Sequence, residues 1–466
     1  MTNRTLLRNA TVVSVDPAVG NLRNADVLIE GDRIAQIGSD LRVGDCEIID
    51  ATGNIIIPGG VDTHRHLWQT ATRSVFADWS TLQYFHGLRL NIASYFRPED
   101  TYIGTYVGCL EALNNGVTTV LGYEHNVNSP EHAVAGASAM VDSGVRGVYG
   151  MGLYPAPYAM AGFSGLDDYR KTFRSLRDQF FSSDDALVRL GAAPAELFVV
   201  DLPETTGHIE LAREFDAQIT LHANAVQNGI HEIELLSRAG LLADDMVLVH
   251  CNTSSDDEFR MAADAGAAIC AGVEVEIGMA LGVPTVADQL RLGLSPTIGV
   301  DSVGCCGGGV LAQARLAMQT ICLSNALAEL ASGHNPAGLS VSSKQALEWA
   351  TINGAKALRL DHKIGSITVG KQADLVMIKA TSPNMAGWYE GEPEGAVITQ
   401  STTEDIDTVF VAGRAVKRGG RLLVDGWDAS LQQMNRTKAY LADCARQPDG
   451  SLIPNPPPAL PEGRGW

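Results

Sequence analysis

The chain has 466 residues, of which 45% are hydrophobic and 19% charged. This apolar fraction is ordinary for a globular protein and excludes a wholly disordered chain. The 34 basic and 54 acidic side chains leave a formal charge of −20, which disfavours nucleic acids and anionic membrane surfaces as partners because both are polyanionic.

The amino terminus and the cysteines predict the compartment. The opening MTNRTLLRNATVVSVDP lacks the apolar stretch of a signal peptide, and no window offers the roughly 18 apolar residues of a membrane span. The eight cysteines include no CxxC pair, which is typical of reduced cysteines in a large intracellular chain. We therefore expect a cytoplasmic protein.

Both ends of the chain predict short strands. Apolar alternation in residues 1–57 is interrupted by Asp-Pro, Glu-Gly-Asp and Thr-Gly, and a related pattern returns within 361–425. This is the composition of strands and turns. We predict one small β-sandwich domain built from residues 1–57 and 361–425, followed by a C-terminal helix and a proline-rich tail over 426–466.

The middle of the chain, residues 58–360, alternates between strands and helices. A helix is predicted over 98–114, where Pro98 suits the first turn and Asn115-Gly116 suits the end. It is followed at once by a strand over 117–123, and five further helix and strand pairs follow. So many βα units favour an α/β fold of the closed (β/α)8 type, a TIM barrel, with its active site at the carboxyl ends of the strands.

Polar side chains collect at four of the predicted strand ends. These are His64, Arg65 and His66 after IIIPGGVDT, His222 after AQITL, His250 after MVLV, and Asp301 after SPTIGV. Side chains two residues apart in a strand project to the same face, so His64 and His66 can point together. Imidazoles and carboxylates are ligands that divalent ions such as zinc prefer. The four strand ends therefore predict a divalent metal site.

The same segments resemble the amidohydrolase superfamily, in the branch of atrazine- and melamine-type hydrolases and aminohydrolases. PGGVDTHRH, LHA, LVHC, GVDS and ATINGAKALRLDHKIGSITVGKQADLVMI (350–378) carry the resemblance, which covers nearly the whole chain. It implies one divalent ion, zinc first and otherwise Co²⁺, Mn²⁺ or Fe²⁺, held by His64, His66, His222 and Asp301, with no organic cofactor.

The resemblance also implies the catalytic roles. The ion would activate a water molecule, and His250 would orient that water or hydrogen-bond the developing oxyanion. Asp301 would accept the proton of the water and deliver it to the leaving group. Binuclear relatives use a carboxylated lysine on the fourth barrel strand, but the predicted fourth strand, within 186–197, has no lysine. This favours a single ion.

Two departures from the branch narrow the expected substrate. Deaminases of the branch carry H-x-x-E after the fifth strand, whereas this chain reads His222-Ala223-Asn224-Ala225, and the ring-binding P-x-S-N is replaced by AGVEVE over 271–276. Both differences count against a ring deaminase and favour a small neutral carbonyl substrate. In this respect the chain is similar to molinate hydrolase and the phenylurea hydrolases, which act on herbicide-type thiocarbamates and ureas.

The predicted mouth of the barrel is moderately aromatic. The expected pocket residues are Trp68, Tyr84, Phe85, His86, Tyr123, Glu124, His125, Tyr154, Glu274 and Glu276. Glu124 and His125 either contact the substrate or belong to the cap of the following helix. One of Glu274 and Glu276 could replace the missing acid.

The sequence thus predicts a metal-dependent hydrolase of a carbamoyl-type bond, either the C–S bond of a thiocarbamate or the C–N bond of an N-substituted urea. A first alternative is an aminohydrolase of an aminated heterocycle that uses Glu274 or Glu276 for proton transfer. An alternative from another class is a metal-free binding or scaffolding relative. We expect a homo-oligomer, a dimer or a tetramer.

Overall fold

The structure is a computed structural model that describes residues 4–153, 162–183 and 185–454. Tyr154 and the residues after 454 lie outside the described parts. The strands are β1 (Arg4–Val13), β2 (Asn21–Glu30), β3 (Arg33–Gly38), β4 (Glu47–Asp50), β5 (Ile55–Pro58), β6 (Gly60–Arg65), β7 (Val117–Val127), β8 (Arg146–Leu153), β9 (Val188–Ala193), β10 (Gln218–Ala223), β11 (Met246–His250), β12 (Ala268–Ala271), β13 (Thr297–Ile298), β14 (Leu375–Ile378), β15 (Ile406–Val411), β16 (Arg414–Arg418) and β17 (Arg421–Leu422).

The α-helices alternate with the strands through the middle of the chain. They are α1 (Thr81–Tyr84), α2 (Pro98–Asn114), α3 (Pro130–Ser143), α4 (Leu166–Gln179), α5 (Leu202–Glu214), α6 (Glu232–Arg238), α7 (Asp256–Asp264), α8 (Val273–Gly278), α9 (Val286–Arg291), α10 (Val310–Ala331), α11 (Ser343–Trp349), α12 (Ile352–Ala357), α13 (Pro393–Gln400) and α14 (Trp427–Ala445). A π-helical turn, Phe85–Arg89, follows α1 directly. None of the helices in the described residues combines the length and the apolar character that crossing a membrane requires.

The chain divides into two compact units. The first contains Met1–Asp62, Glu111–Thr119 and Gly309–Val424, and the second contains Thr63–Leu110, Val120–Gly308 and Asp425–Trp466. Residues 309–360, which the sequence assigns to the barrel, thus fall in the first unit.

The first unit contains a mixed nine-stranded sheet. Its order is β17-β16-β15-β14-β5-β1-β2-β3, with β4 also paired to β1. The antiparallel pair of β5 and β14 joins the two ends of the chain, with Ile56 opposite Met377. Both residues belong to the apolar core of this unit. A small β domain built from both termini is confirmed.

The second sheet is the barrel. Its eight strands follow one another in sequence order from β6 to β13, and the neighbours from β8 to β13 pair in parallel. A parallel bridge between Arg65 and Asp301 links the first strand to the residues after the eighth. Strands β6 and β7 are buried along their whole length, as expected when both faces of a parallel sheet are covered. The predicted (β/α)8 barrel is confirmed.

The predicted helix over 98–114 is confirmed by α2, and Gly116 after it has φ +74°, a conformation that glycine adopts at little cost. The next strand differs from the prediction. β7 runs to Val127 rather than ending at 123, because its last four residues, three of them polar, stay buried in the barrel. Glu124 and His125 therefore lie inside a strand, and Ser129 is the N-cap of α3.

Candidate active site

Four histidines and one aspartate meet at the carboxyl ends of barrel strands. His64 lies on β6, His66 follows it, His222 lies on β10, and His250 ends β11. Asp301 follows β13, and its backbone N–H donates to the carbonyl of His64 at 2.8 Å. Close approach at this point depends on Gly299, because a Cβ there would come within 2.8 Å of the His64 Cβ.

The side-chain atoms of this cluster converge. His64 Nε2 lies 3.3 Å from His222 Nε2 and 3.5 Å from Asp301 Oδ1, and His66 Nε2 lies 3.3 Å from Asp301 Oδ1. Two ligands held 2.0–2.2 Å from one zinc ion at the tetrahedral angle are about 3.3–3.6 Å apart. The observed spacings therefore fit a divalent ion. Two overlapping groups share His64: one with His222 and His250, the other with His66 and Asp301.

The protonation of the cluster also fits a cation. Burial lowers the pKa of His64 and His66 and brings the pKa of His222 to about 4, so these imidazoles are neutral and their lone pairs are available. Burial alone would raise the pKa of Asp301, but its hydrogen bond with His64 and its electrostatic interactions with the surrounding imidazoles outweigh burial and lower that pKa. Asp301 is therefore ionised at neutral pH.

Three of the imidazoles are held through Nδ1. His66 Nδ1 contacts the carbonyl of Tyr123 at 2.9 Å, His222 Nδ1 contacts Glu196 Oε1 at 3.0 Å, and His250 Nδ1 contacts Glu276 Oε1 at 3.1 Å. Such partners fix the tautomer in which Nε2 carries the lone pair that binds a metal.

His250 differs from the other histidines in its charge environment. Burial lowers its pKa, but the hydrogen bond with Glu276 and the charge of Asp301 outweigh burial and raise it. Its Nε2 lies 3.5 Å from Asp301 Oδ2. His250 and Asp301 also both have positive φ, +73° and +65°. Strained backbone of this kind persists where the surrounding structure holds a functional residue in place.

Two buried residues of this site were missed by the sequence reasoning. Glu196 follows the fourth barrel strand β9, which contains no lysine, and Arg89 ends the π-helical turn after α1. Arg89 Nη1 lies 3.5 Å from Glu196 Oε1, and both side chains are 3% exposed. Burial opposes ionisation of Glu196, but Arg89 and His222 outweigh burial and bring its pKa to about 2. An acid three residues after a barrel strand was a signal for Glu196, whereas nothing in the sequence marked Arg89.

A cavity opens beside the cluster, with about 560 Å³ of empty space that includes its mouth open to solvent. Most of its wall is apolar or aromatic, and the charged groups on it are those of the cluster together with Arg89 and Glu196. The other wall residues are Thr81, Tyr84, Phe85, Phe198, Ala225, Val226, Val275, Met279, Leu281 and Ser302.

Tyr84 and Phe85 are the members of the expected pocket that lie on this wall. Trp68, Tyr123 and His125 instead lie behind the histidines: Tyr123 stacks on His222 with ring centroids 4.2 Å apart, and His125 stacks on His66 at 4.0 Å. The indole N–H of Trp68 donates to His125 Nδ1 at 3.2 Å. Tyr123 and His125 are two residues apart on β7 and share its inner face, so both rings pack against the imidazoles.

The acidic and remaining members of the expected pocket take other places. Glu124 projects from the opposite face of β7 and accepts from Thr105 at 3.4 Å. Glu276 contacts His250 and accepts from the backbone N–H of Gly272 at 2.8 Å. Glu274 and His86 are half-buried and lie outside the cavity wall. Of the two glutamates in α8, Glu276 is thus the one that contacts the histidine and aspartate cluster, through the imidazole of His250.

Comparisons with known proteins agree with this architecture. The amidohydrolase family model matches residues 55–416. A 5'-deoxyadenosine deaminase of Methanothermobacter thermautotrophicus is 26% identical over 432 residues, which cover 89% of this chain and 95% of the relative. A 5-methylthioadenosine/S-adenosylhomocysteine deaminase of Pyrococcus furiosus is 26% identical over 429 residues, which cover 90% of this chain and 96% of the relative.

Solved structures show the same fold. An adenosine deaminase from Xanthomonas campestris with bound zinc aligns with a TM-score of 0.81 at 22% identity, covering 94% of this chain and 98% of that chain. An atrazine chlorohydrolase from Arthrobacter aurescens TC1 complexed with zinc aligns with a TM-score of 0.81 at 22% identity, covering 93% of this chain and 100% of that chain.

Proposed function

Because this chain belongs to the amidohydrolase family and is a metal-dependent hydrolase, we propose that it hydrolyses a carbamoyl-type bond in a small uncharged substrate. The bond is the C–S bond of a thiocarbamate such as molinate or the C–N bond of an N-substituted urea such as a phenylurea. The mostly apolar wall of the cavity supports an uncharged substrate, because burial of an unpaired charge there would be costly.

We propose that His64, His66, His222 and Asp301 hold one divalent ion, zinc first. The spacing of their ligand atoms, the neutral imidazoles and the ionised carboxylate support this assignment. When bound, a divalent ion supplies a Lewis acid for a carbonyl oxygen and lowers the pKa of water to about 7.

Asp301 and His250 then have separate roles in the reaction. Asp301 is ionised and accepts a proton from the attacking water, which it later delivers to the leaving group. Glu276 holds the Nδ1 side of His250, so Nε2 is directed towards Asp301 and the reacting carbonyl. From there it stabilises negative charge as that charge develops on the carbonyl oxygen.

The choice of substrate rests on the protonation state of Glu196. Ring deamination requires an acid beside the ring, and the carboxyl groups on the described cavity wall are those of Glu196 and Asp301. Arg89 and His222 hold the pKa of Glu196 at about 2 against the opposing effect of burial, so it carries no proton to donate at neutral pH. A thiolate leaves without prior protonation, whereas an aniline would take its proton from Asp301 or His250.

Product analysis tests this function. Zinc-loaded protein is incubated with molinate, a phenylurea, an N-acylaniline and 5'-methylthioadenosine, and the release of thiol, aniline and ammonia is measured. We expect thiol or aniline from the first two compounds. Turnover of the nucleoside with release of ammonia, without cleavage of either carbamoyl compound, would show that the substrate assignment is wrong.

A deaminase is the second candidate, and the two curated relatives favour it because both are named as adenosine-type deaminases and align over about nine-tenths of this chain. In that case the proton donor must be a group other than Glu196. The half-buried Glu274 and the His250-bound Glu276, both in the helix that follows the seventh strand, are the acids that could take this role. Ammonia release that is lost in Glu276→Gln but kept in Glu274→Gln would support it.

A further inference from the structure

A buried polar chain runs from the cavity wall to one of the histidines. Arg89 contacts Glu196 through Nη1 at 3.5 Å, and the same oxygen of Glu196, Oε1, lies 3.0 Å from His222 Nδ1. All three residues line the cavity. A single carboxylate oxygen therefore joins a guanidinium to an imidazole.

The three residues come from separate parts of the second unit. Arg89 belongs to the π-helical turn after α1, Glu196 follows β9, and His222 lies on β10. Arg89 and Glu196 are each 3% exposed. Buried ion pairs of this kind gain little net stability, because desolvation offsets their attraction, so a role in placing His222 is a better explanation than stability.

The neighbouring histidine provides an internal comparison. The rings of His222 and His250 lie 5.4 Å apart and nearly parallel, at 11°, and each Nδ1 contacts a glutamate. Glu276, the partner of His250, is also held by the backbone N–H of Gly272 on its own helix segment. Glu196 has Arg89, a side chain from a distant segment, in the corresponding place.

We propose that Arg89 is a positioning residue for metal binding: it fixes the carboxylate of Glu196, which in turn holds the Nδ1–H of His222 and directs its Nε2 towards His64. Arg89 acts through Glu196 and does not touch the ion. The proposal rests on the metal site assigned above, and it ties a segment that also supplies the wall residues Tyr84 and Phe85 to the geometry of a metal ligand.

A double-mutant cycle on zinc affinity tests this role. The variants are Arg89→Met, Glu196→Leu and the combination of both, and zinc dissociation constants are measured by competition with a chromophoric chelator, without substrate. Loss of a carboxylate partner of a metal-bound histidine weakens metal binding about 10- to 100-fold, and we expect this for each single variant. Because Arg89 acts through Glu196, the double variant should bind zinc no more weakly than Glu196→Leu.

Controls separate positioning from folding. Either single variant leaves one buried charge unpaired and can unfold, but the double variant removes both charges and is expected to fold. Arg213→Met is a matched control, because Arg213 pairs with Asp245 at 2.8 Å at the amino-terminal side of β11, away from His250. We expect it to leave zinc affinity unchanged. The visible spectrum of the Co²⁺-loaded protein reports ligand geometry independently, and it should change in the double variant but not in Arg213→Met.

The outcomes are distinct. A folded double variant with the zinc affinity and Co²⁺ spectrum of the parent would overturn the positioning role. Effects of Arg89→Met and Glu196→Leu that add in the double variant would overturn the path through Glu196. A parent chain that binds no zinc would overturn the metal site as well, whereas failure to hydrolyse any carbamoyl compound, with these affinities as expected, would overturn only the proposed substrate.

Discussion

Asp301 is bound to His64 twice. Its backbone N–H donates to the His64 carbonyl at 2.8 Å, and its Oδ1 lies 3.5 Å from His64 Nε2. The first contact closes the barrel between its first and last strands, and the second lies within the histidine and aspartate cluster. The junction of the first and last strands therefore positions the two groups for chemistry.

Replacement of Asp301 should separate these two contacts. Asp301→Asn keeps the backbone hydrogen bond and the side-chain shape but removes the base, so we expect the hydrolysis rate to fall at least about 100-fold. The thermal unfolding midpoint of the variant should stay close to that of the parent. A variant that retains most of its activity would rule out Asp301 as the proton acceptor.

Removal of metal should be reversible. Treatment with a chelator is expected to abolish hydrolysis, and Zn²⁺, Co²⁺ or Mn²⁺ should restore it, because the ion supplies the activated water. Elemental analysis should give about one ion per chain, since β9 offers no lysine for a bridge between two ions. About two ions per chain, or full activity after stripping, would contradict the single-ion site.

Glu124 predicts a pH dependence of stability. It is buried, and burial raises its pKa to about 8 from the ordinary value of 4.5. Between these two pH values the unfolded chain is ionised at this position and the folded chain is protonated, so stability falls as the pH rises through this window. Glu124→Gln removes this cost and keeps an acceptor for Thr105, so we expect it to raise the unfolding midpoint at pH 8 and to leave it unchanged at pH 4.

Unfolding curves at several pH values measure this effect. The matched control is Glu390→Gln, because Glu390 forms an exposed ion pair with Arg23 at 3.3 Å and such pairs contribute little. A midpoint for Glu124→Gln that follows that of the parent at every pH would show that Glu124 is not protonated in the folded state.

The apolar wall predicts a binding effect. Phe198 packs edge-to-face on Phe85 with ring centroids 6.2 Å apart, and both line the cavity. Phe198→Ala removes part of the apolar surface that a phenyl substituent would contact, so KM for a phenylurea should rise about tenfold with a smaller change in kcat. Phe180→Ala, at the end of α4 and away from the cavity, should leave KM unchanged; a loss confined to kcat in Phe198→Ala would contradict the binding role.

The predictions from sequence that concerned local order were the most accurate. The bounds of α2 and the strand-end positions of His64, His222 and His250 agree with the structure. Periodicity and breaker residues encode these features within a few residues of chain. The bound of β7 was wrong because its continuation is set by burial in the barrel, which local sequence does not specify.

The residues of the pocket were predicted less accurately from the sequence. Tyr123 and His125 carry aromatic rings suited to a cavity wall, but they stack behind His222 and His66. Arg89 and Glu196, 107 residues apart, meet beside His222. Only the closure of the barrel brings such segments together. The spacing of two residues along the sequence does not predict a contact of this kind.

The sequence by itself determined the barrel, the two-ended β domain and the histidine and aspartate set, because each depends on short patterns repeated at strand ends. Only the tertiary structure decided which acids carry protons. Glu124 is buried with no cation among the described residues acting on its carboxyl group and has a raised pKa, whereas Glu196 is equally buried and has a pKa of about 2. The physical reason is that the pKa of a buried carboxyl group depends on the charges brought next to it by folding, and here that charge is Arg89.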